Sequence, residues 1–140
     1  MEPLVALSIR QPWIDMIVRG VKTMEIRNWM VKRRGLIVLH APRRIDFGAA
    51  YFYGYKQPWT LPRGKLIALA EITDVVELDN ESWVGLVRRH RQPLPMVDGA
   101  YGVLLDNVKL LERPVDCRGK QMFFPITGNI LERVLRYAPK

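Results

Sequence analysis

Lys22, Glu25 and Arg27 stand close together in Gly20-Val21-Lys22-Thr23-Met24-Glu25-Ile26-Arg27. Strand alternation across Lys22–Asn28 sends Met24 and Ile26 one way and Thr23, Glu25 and Arg27 the other. Glu25 and Arg27 then share a face about 7 Å apart. A carboxylate beside a guanidinium can orient it for a bidentate grip on a phosphate. The same pair facing solvent is an ordinary ion pair worth about 0–1 kcal/mol, and spacing alone leaves both readings open. Lys22 follows a glycine turn, from which its ammonium can reach a cleft mouth as a point charge for phosphate. Desolvated beside other cations, it would lose its proton and serve as a base or nucleophile. Glu25 would then be a general base if burial raised its pKa.

A second set of candidates precedes this stretch. Arg10, Gln11 and Trp13 flank Pro12. Arg10 and Gln11 can read base edges or phosphates, and Trp13 can stack on a base. Met16 and Ile17 beside it favour a core role for Trp13, which makes Arg10 and Gln11 the better ligand candidates. One cysteine, Cys117, and two histidines offer no ligand spacing for zinc and allow no internal disulfide. No metal or other cofactor is expected.

These residues need elements to hold them. Leu4–Ile9 reads as a short apolar strand. Pro12 opens a helix to Arg19, with Trp13, Ile14, Met16, Ile17 and Val18 on its apolar side and Asp15 and Arg19 paired opposite. Gly20 ends it as a left-handed cap. Leu36–Ala41 is a strand apolar on both faces, as a closed barrel or covered sheet demands. A short helix after Pro42 fades into an aromatic loop with Tyr51, Phe52, Tyr53 and Tyr55. Lys65–Leu78 is the longest strand candidate. Asn80 and Ser82 are candidate caps for a helix through Arg89. Ala100–Leu105 and Lys109–Val115 read as two strands joined by an Asp106-Asn107 hairpin turn. Asn129 is the candidate cap of a last helix, Ile130–Tyr137. The pattern is α+β: a small barrel of five or six strands with three or four short helices.

The 140 residues make one domain, 1–140, without repeats or a linker. The N-terminus has no basic n-region and no long apolar stretch, so no signal peptide is expected. Leu36–Leu39 and Leu66–Ala70, the longest apolar runs, are far too short to span a bilayer. The single cysteine fits a reducing compartment, so a cytoplasmic site is expected, or a nuclear one in a eukaryotic cell. A net charge of +8, from 22 Lys+Arg against 14 Asp+Glu, attracts polyanions, nucleic acid above all. The basic surface is concentrated at Lys32, Arg33 and Arg34, at Arg43 and Arg44, and at Arg88, Arg89 and Arg91.

Ser8-Ile9-Arg10-Gln11-Pro12-Trp13, then Gly20-x-Lys22-Thr23-x-Glu25-x-Arg27, then Arg34-Gly35 before a strand ending at His40, resembles the ASCH (activating signal cointegrator homology) domain. Pro62-Arg63-Gly64, Tyr101-Gly102, Arg118-Gly119-Lys120 and Phe124-Pro125-Ile126 extend the resemblance over almost the whole chain. It implies a PUA-like β-barrel with a cleft beside it, lined by the first helix and the Gly-x-Lys segment. It brings His40 to that cleft and sets Arg118 and Lys120 on a positive rim. It also implies RNA metabolism or transcription as context, with nucleic acid, RNA or DNA, as partner and room for a protein partner.

One branch of the family hydrolyses acetylated cytidine with a Lys, a Thr and a Glu. Lys22 matches its lysine. Glu25 stands where its threonine should be, and Val87-Arg88-Arg89-His90-Arg91 lacks its glutamate. The expected function is therefore a nucleic-acid or nucleotide-like binding module. A hydrolase using Lys22 and Glu25 is the alternative, and a protein-interaction adaptor presenting Tyr51–Trp59 is the third reading.

Overall fold

The computed structural model describes residues 3–93 and 95–140. Six strands form one curled half-barrel sheet: β1 (Val5–Ser8), β2 (Met24–Arg27), β3 (Gly35–Ala41), β4 (Lys65–Glu77), β5 (Tyr101–Asp116) and β6 (Phe123–Pro125). Their order is β2-β5-β4-β3-β1-β6. Only β1 and β3 run parallel, with Ser8 beside His40 in register; the other neighbours are antiparallel.

Five short helices flank the sheet among the described residues: α1 (Trp13–Val18), α2 (Phe47–Phe52), α3 (Asn80–Gly85), α4 (Val87–His90) and α5 (Gly128–Tyr137). A 3₁₀ turn covers Pro58–Thr60. None of these helices is long and apolar enough to cross a membrane.

The apolar patterning decides which faces are covered. The apolar side of α1 closes a core with Leu7, Ile37, Leu39, Ile72 and Val103. A second core on the other side of the sheet packs Val38, Leu66, Val115 and Phe124 under α5. A third gathers Trp83, Met24, Ile26 and Leu78 at the β2 edge. Gly20 ends α1 with φ +76°, a conformation that costs glycine nothing. Asp15 and Arg19 pair at 3.0 Å, as their spacing implies.

Several local expectations are corrected. Asp106-Asn107 is not a hairpin turn: β5 runs unbroken through it and exceeds β4 in length. Both halves pair with the same partner, Leu105 with Ile72 and Leu110 with Ala68. Asn107 takes φ +49° at an irregularity where the register against β4 shifts, which bends the ribbon instead of reversing it. The helix after Leu78 is capped by Asp79, whose carboxylate accepts from the Ser82 amide while Ser82 Oγ accepts from the Asp79 amide. It stops at Gly85, and a separate turn, α4, carries the arginines. The last helix starts at Gly128 after Thr127, with no side-chain cap from Asn129. Tyr51 and Phe52 belong to α2, not to a loop.

Candidate functional site

A cleft of about 1550 Å³ opens where the ends of β1, β2 and β3 meet the Arg118–Met122 segment. Two backbone bonds bring its loops together: Gly64 donates to the Ala41 carbonyl and Cys117 to the Gly64 carbonyl. Pro62–Gly64, Pro42–Arg44 and the 117–120 turn are thereby stacked on one rim.

Glu25 is the hub of the wall formed by β2. Its Oε2 accepts from Arg27 Nη1 at 2.7 Å, and its Oε1 lies 3.4 Å from Lys22 Nζ. Arg27 Nη2 also donates to the Ser8 carbonyl at 2.8 Å, so the guanidinium ties β2 to β1 across the cleft. Burial pushes the Glu25 carboxyl upward, but the charges of Arg27 and Lys22 outweigh it and hold it below the ordinary carboxylate value. Glu25 is therefore an anion that orients Arg27. A general base would need the opposite shift.

Lys22 does not reach the cleft mouth. Its side chain is wholly buried beneath Glu25. Nζ donates to the His90 carbonyl at 2.6 Å and lies 4.7 Å from the centre of the Trp13 ring, a cation–π contact. Burial lowers its pKa against the pull of Glu25. Strand alternation alone could not show this, because Lys22 precedes β2 and turns inward under α1: its amide bonds the Met16 carbonyl.

Buried His40 and half-buried Ser8 form a second pair. His40 Nε2 donates to the Cys117 carbonyl at 2.7 Å, which leaves Nδ1 as the acceptor facing Ser8 Oγ at 3.0 Å. The Ser8 hydroxyl also reaches the Lys120 carbonyl at 3.1 Å, so one proton serves two acceptors. Burial lowers the His40 pKa and keeps the ring neutral at pH 7. The pair anchors the basic 118–120 turn on the sheet. Gly119 passes so close that an added Cβ would lie 2.3 Å from His40 Cε1.

Of the expected site residues, Arg10, Trp13, Glu25, Arg27, His40, Arg118 and Lys120 line this one cleft. Gln11 does not: it is buried, donating to the Pro62 carbonyl and accepting from the Asp15 amide. Arg43 and Arg44 from the expected basic surface also line the cleft, whereas the other basic clusters lie outside it. Arg33 donates to the Pro3 carbonyl and Arg34 to the Val31 carbonyl. Arg89 and Arg91 hold the Val21–Thr23 segment from behind, and Arg88 is exposed on α4. Ser8, Arg63, Lys65 and Gln92 also line the cleft, beyond the site residues expected from the sequence. For Ser8 and Arg63 the ASCH-like motifs are a usable signal; for Lys65 and Gln92 only long-range pairing reveals it. Among the described residues no cluster of His, Cys, Asp or Glu could hold a metal ion.

The lining carries eight cationic side chains: Arg10, Arg27, Arg43, Arg44, Arg63, Lys65, Arg118 and Lys120. Two carboxylates oppose them. Glu25 is spent on Lys22 and Arg27, and Asp116 pairs with Lys65. Such a wall focuses a positive potential into the cleft.

The sequence profile of the ASCH domain matches residues 7–111. No curated protein matches the chain. Among solved structures, the crystal structure of ASCH from Zymomonas mobilis is similar, with 15% identity and a TM-score of 0.67 over 99% of this chain and 97% of that one. A serine-to-alanine and a tyrosine-to-phenylalanine variant of that protein align at 15% identity with TM-scores of 0.65 and 0.66, each over 96% of this chain and 98% of that chain. At that identity the likeness is one of fold, and it is the α+β, PUA-like fold. The profile match spans most of the chain and includes β2, β3, β4 and the Lys22–Arg27 stretch: the chain belongs to the ASCH domain family.

Proposed function

We propose that this chain is a nucleic-acid-binding module acting in RNA metabolism or transcription regulation, in the cytoplasm or nucleus, and that the cleft beside the sheet holds the ligand's phosphates. The observation that carries the reading is the lining: eight cations against two carboxylates that are already paired. A volume of about 1550 Å³ exceeds the roughly 300–1,000 Å³ of a site for one small molecule and suits a segment of polyanion. Arg27 is pre-oriented by Glu25 and retains an exposed edge, with side-chain exposure of 20%. It is the natural centre of the grip.

Hydrolysis through Lys22 and Glu25 fits less well. The Lys22 ammonium is sealed under Trp13 and Glu25, and Glu25 is held ionised by two cations.

Binding of a fluorescent RNA or DNA oligonucleotide, titrated at several salt concentrations, tests the proposal. If six cleft cations each neutralise one phosphate, log K falls against log salt with a slope of about −4 to −5. Affinity that ignores salt, or no affinity at all, would sink it.

A further inference from the structure

Beside the cationic cleft lies a second, smaller cavity of about 310 Å³. The two are continuous in their lining, since Trp13 and Gln92 border both. Its walls are aromatic: Trp13 and Tyr53 meet edge to face at 5.8 Å, and Tyr53 meets Phe52 edge to face at 4.9 Å. Gly48 and Ala49 keep one side open. Two polar residues, Asp46 and Gln92, are part of its lining. Asp46 accepts from Trp13 Nε1 at 3.1 Å and from the Ala49 amide at 3.0 Å, and its Oδ2 lies 4.0 Å from Arg10 Nη2 on the cleft side, which still leaves lone pairs on both carboxylate oxygens. Gln92 contributes an amide that can both donate and accept. Phe52 stands at the rim with 68% exposure.

We propose that this cavity is a nucleobase pocket, and that the ligand of the cleft is therefore single-stranded. The inference rests on the phosphate-binding reading above. A backbone lying in the cleft has its bases within reach of the adjoining cavity. An aromatic lining rewards a base for leaving its stack, and Asp46 and Gln92 meet the amine and carbonyl groups on its edge. A base in a duplex presents neither its face nor its pairing edge, so entry requires an unpaired strand. The volume is at the small end of the range for ligand sites and fits one flat ring system, not a side chain cluster of a protein partner. The carboxylate of Asp46 also keeps phosphate out of this cavity, so the two compartments divide the work: backbone in one, base in the other.

The experiment compares a single-stranded oligonucleotide with its blunt duplex at one salt concentration, using the full chain and two variants. Phe52→Ala removes the exposed rim ring. Gly48→Leu fills the cavity; a Cβ there meets nothing nearer than Asp46 Oδ1 at 3.7 Å, so the backbone accepts it. Circular dichroism and thermal melting establish that both variants fold. The expected result is a parent preference for the single strand. Both variants should weaken single-strand binding by about fivefold to a hundredfold, the worth of one stacked base, and leave duplex binding unchanged. Equal parent affinity for the two forms, with neither variant having an effect, overturns the pocket but leaves the cationic cleft standing. Loss of both forms in parallel also overturns it. No binding of either form by the parent removes the phosphate reading as well. Sedimentation adds one further outcome: a dimer abolished by Phe52→Ala would give the aromatic rim to a second copy of the chain and refute the nucleobase.

Discussion

Replacing Glu25 by Gln should damage this protein far more than its shape change suggests. The amide keeps the volume and removes the charge that Lys22 and Arg27 share. Lys22 is then a buried ammonium with the His90 carbonyl, the Trp13 ring and a neighbouring cation for company. Breaking a buried ion pair from one side costs about 3–5 kcal/mol. An independent bound comes from the escape route, in which Lys22 gives up its proton. From its ordinary value of 10.5 that costs just under about 5 kcal/mol at pH 7 and about 2 kcal/mol at pH 9. The two arguments agree at pH 7, and only the second depends on pH. A domain of this size has about 7–15 kcal/mol in total. The variant should therefore melt about 10–20 °C below the parent at pH 7, and the gap should shrink at pH 9. Lys22→Met is the comparison. It removes the charge together with its desolvation cost and keeps Glu25 paired with Arg27, but leaves the His90 carbonyl short of its ammonium donor and Glu25 Oε1 short of its second cation, each a loss of about 1–3 kcal/mol. Urea unfolding of both variants at pH 7 and pH 9 reads the order. A Glu25→Gln loss below about 1 kcal/mol, or one that does not shrink with pH, would refute the idea that Glu25 holds a charged Lys22.

Gly119→Ala should destabilise the fold by about 1–3 kcal/mol through overpacking, because the new Cβ would fall 2.3 Å from His40 Cε1 and 3.0 Å from Ser8 Oγ; an unchanged denaturant midpoint would contradict the anchoring of the 118–120 turn. Acid should weaken the fold early: burial lowers the pKa of both His40 and His90 below 6.5, so below that pH the unfolded chain binds protons the folded one refuses, and stability falls as pH drops from 7 to 5. A midpoint that holds or rises over that range would show that neither ring is kept neutral.

The parts of the fold legible in the sequence are those written in local pattern. Gly20 closes α1, the apolar run before His40 is a strand, and Glu25 with Arg27 shares a face, all from spacing within a few residues. The misreadings share a physical origin in long-range pairing. Asp106-Asn107 carries the composition of a turn, yet β4 offers partners to both flanks and the chain stays extended. Lys22 has the sequence of a solvated turn lysine, but α1 and α4 close over it, and only a carboxylate, a carbonyl and a ring arriving from elsewhere make that burial tolerable. Gln11 sits beside Arg10 in the chain, but its side chain is consumed by Pro62 and Asp15. The family motif assembled the cleft from scattered pieces better than charge did: of the basic clusters, only Arg43-Arg44 faces it.

The central claim, that this cleft and not the basic surface at large holds nucleic acid, is tested most directly by the salt slope of binding in paired variants. Arg43→Ala with Arg118→Ala removes two cleft cations, and Arg88→Ala with Lys32→Ala removes two outside it. The cleft pair should lower the slope by about 2 and weaken binding across sequences, while the outside pair leaves the slope within about 0.5 of the parent. Equal slopes for the two variants would place the phosphates elsewhere on the protein and contradict the account.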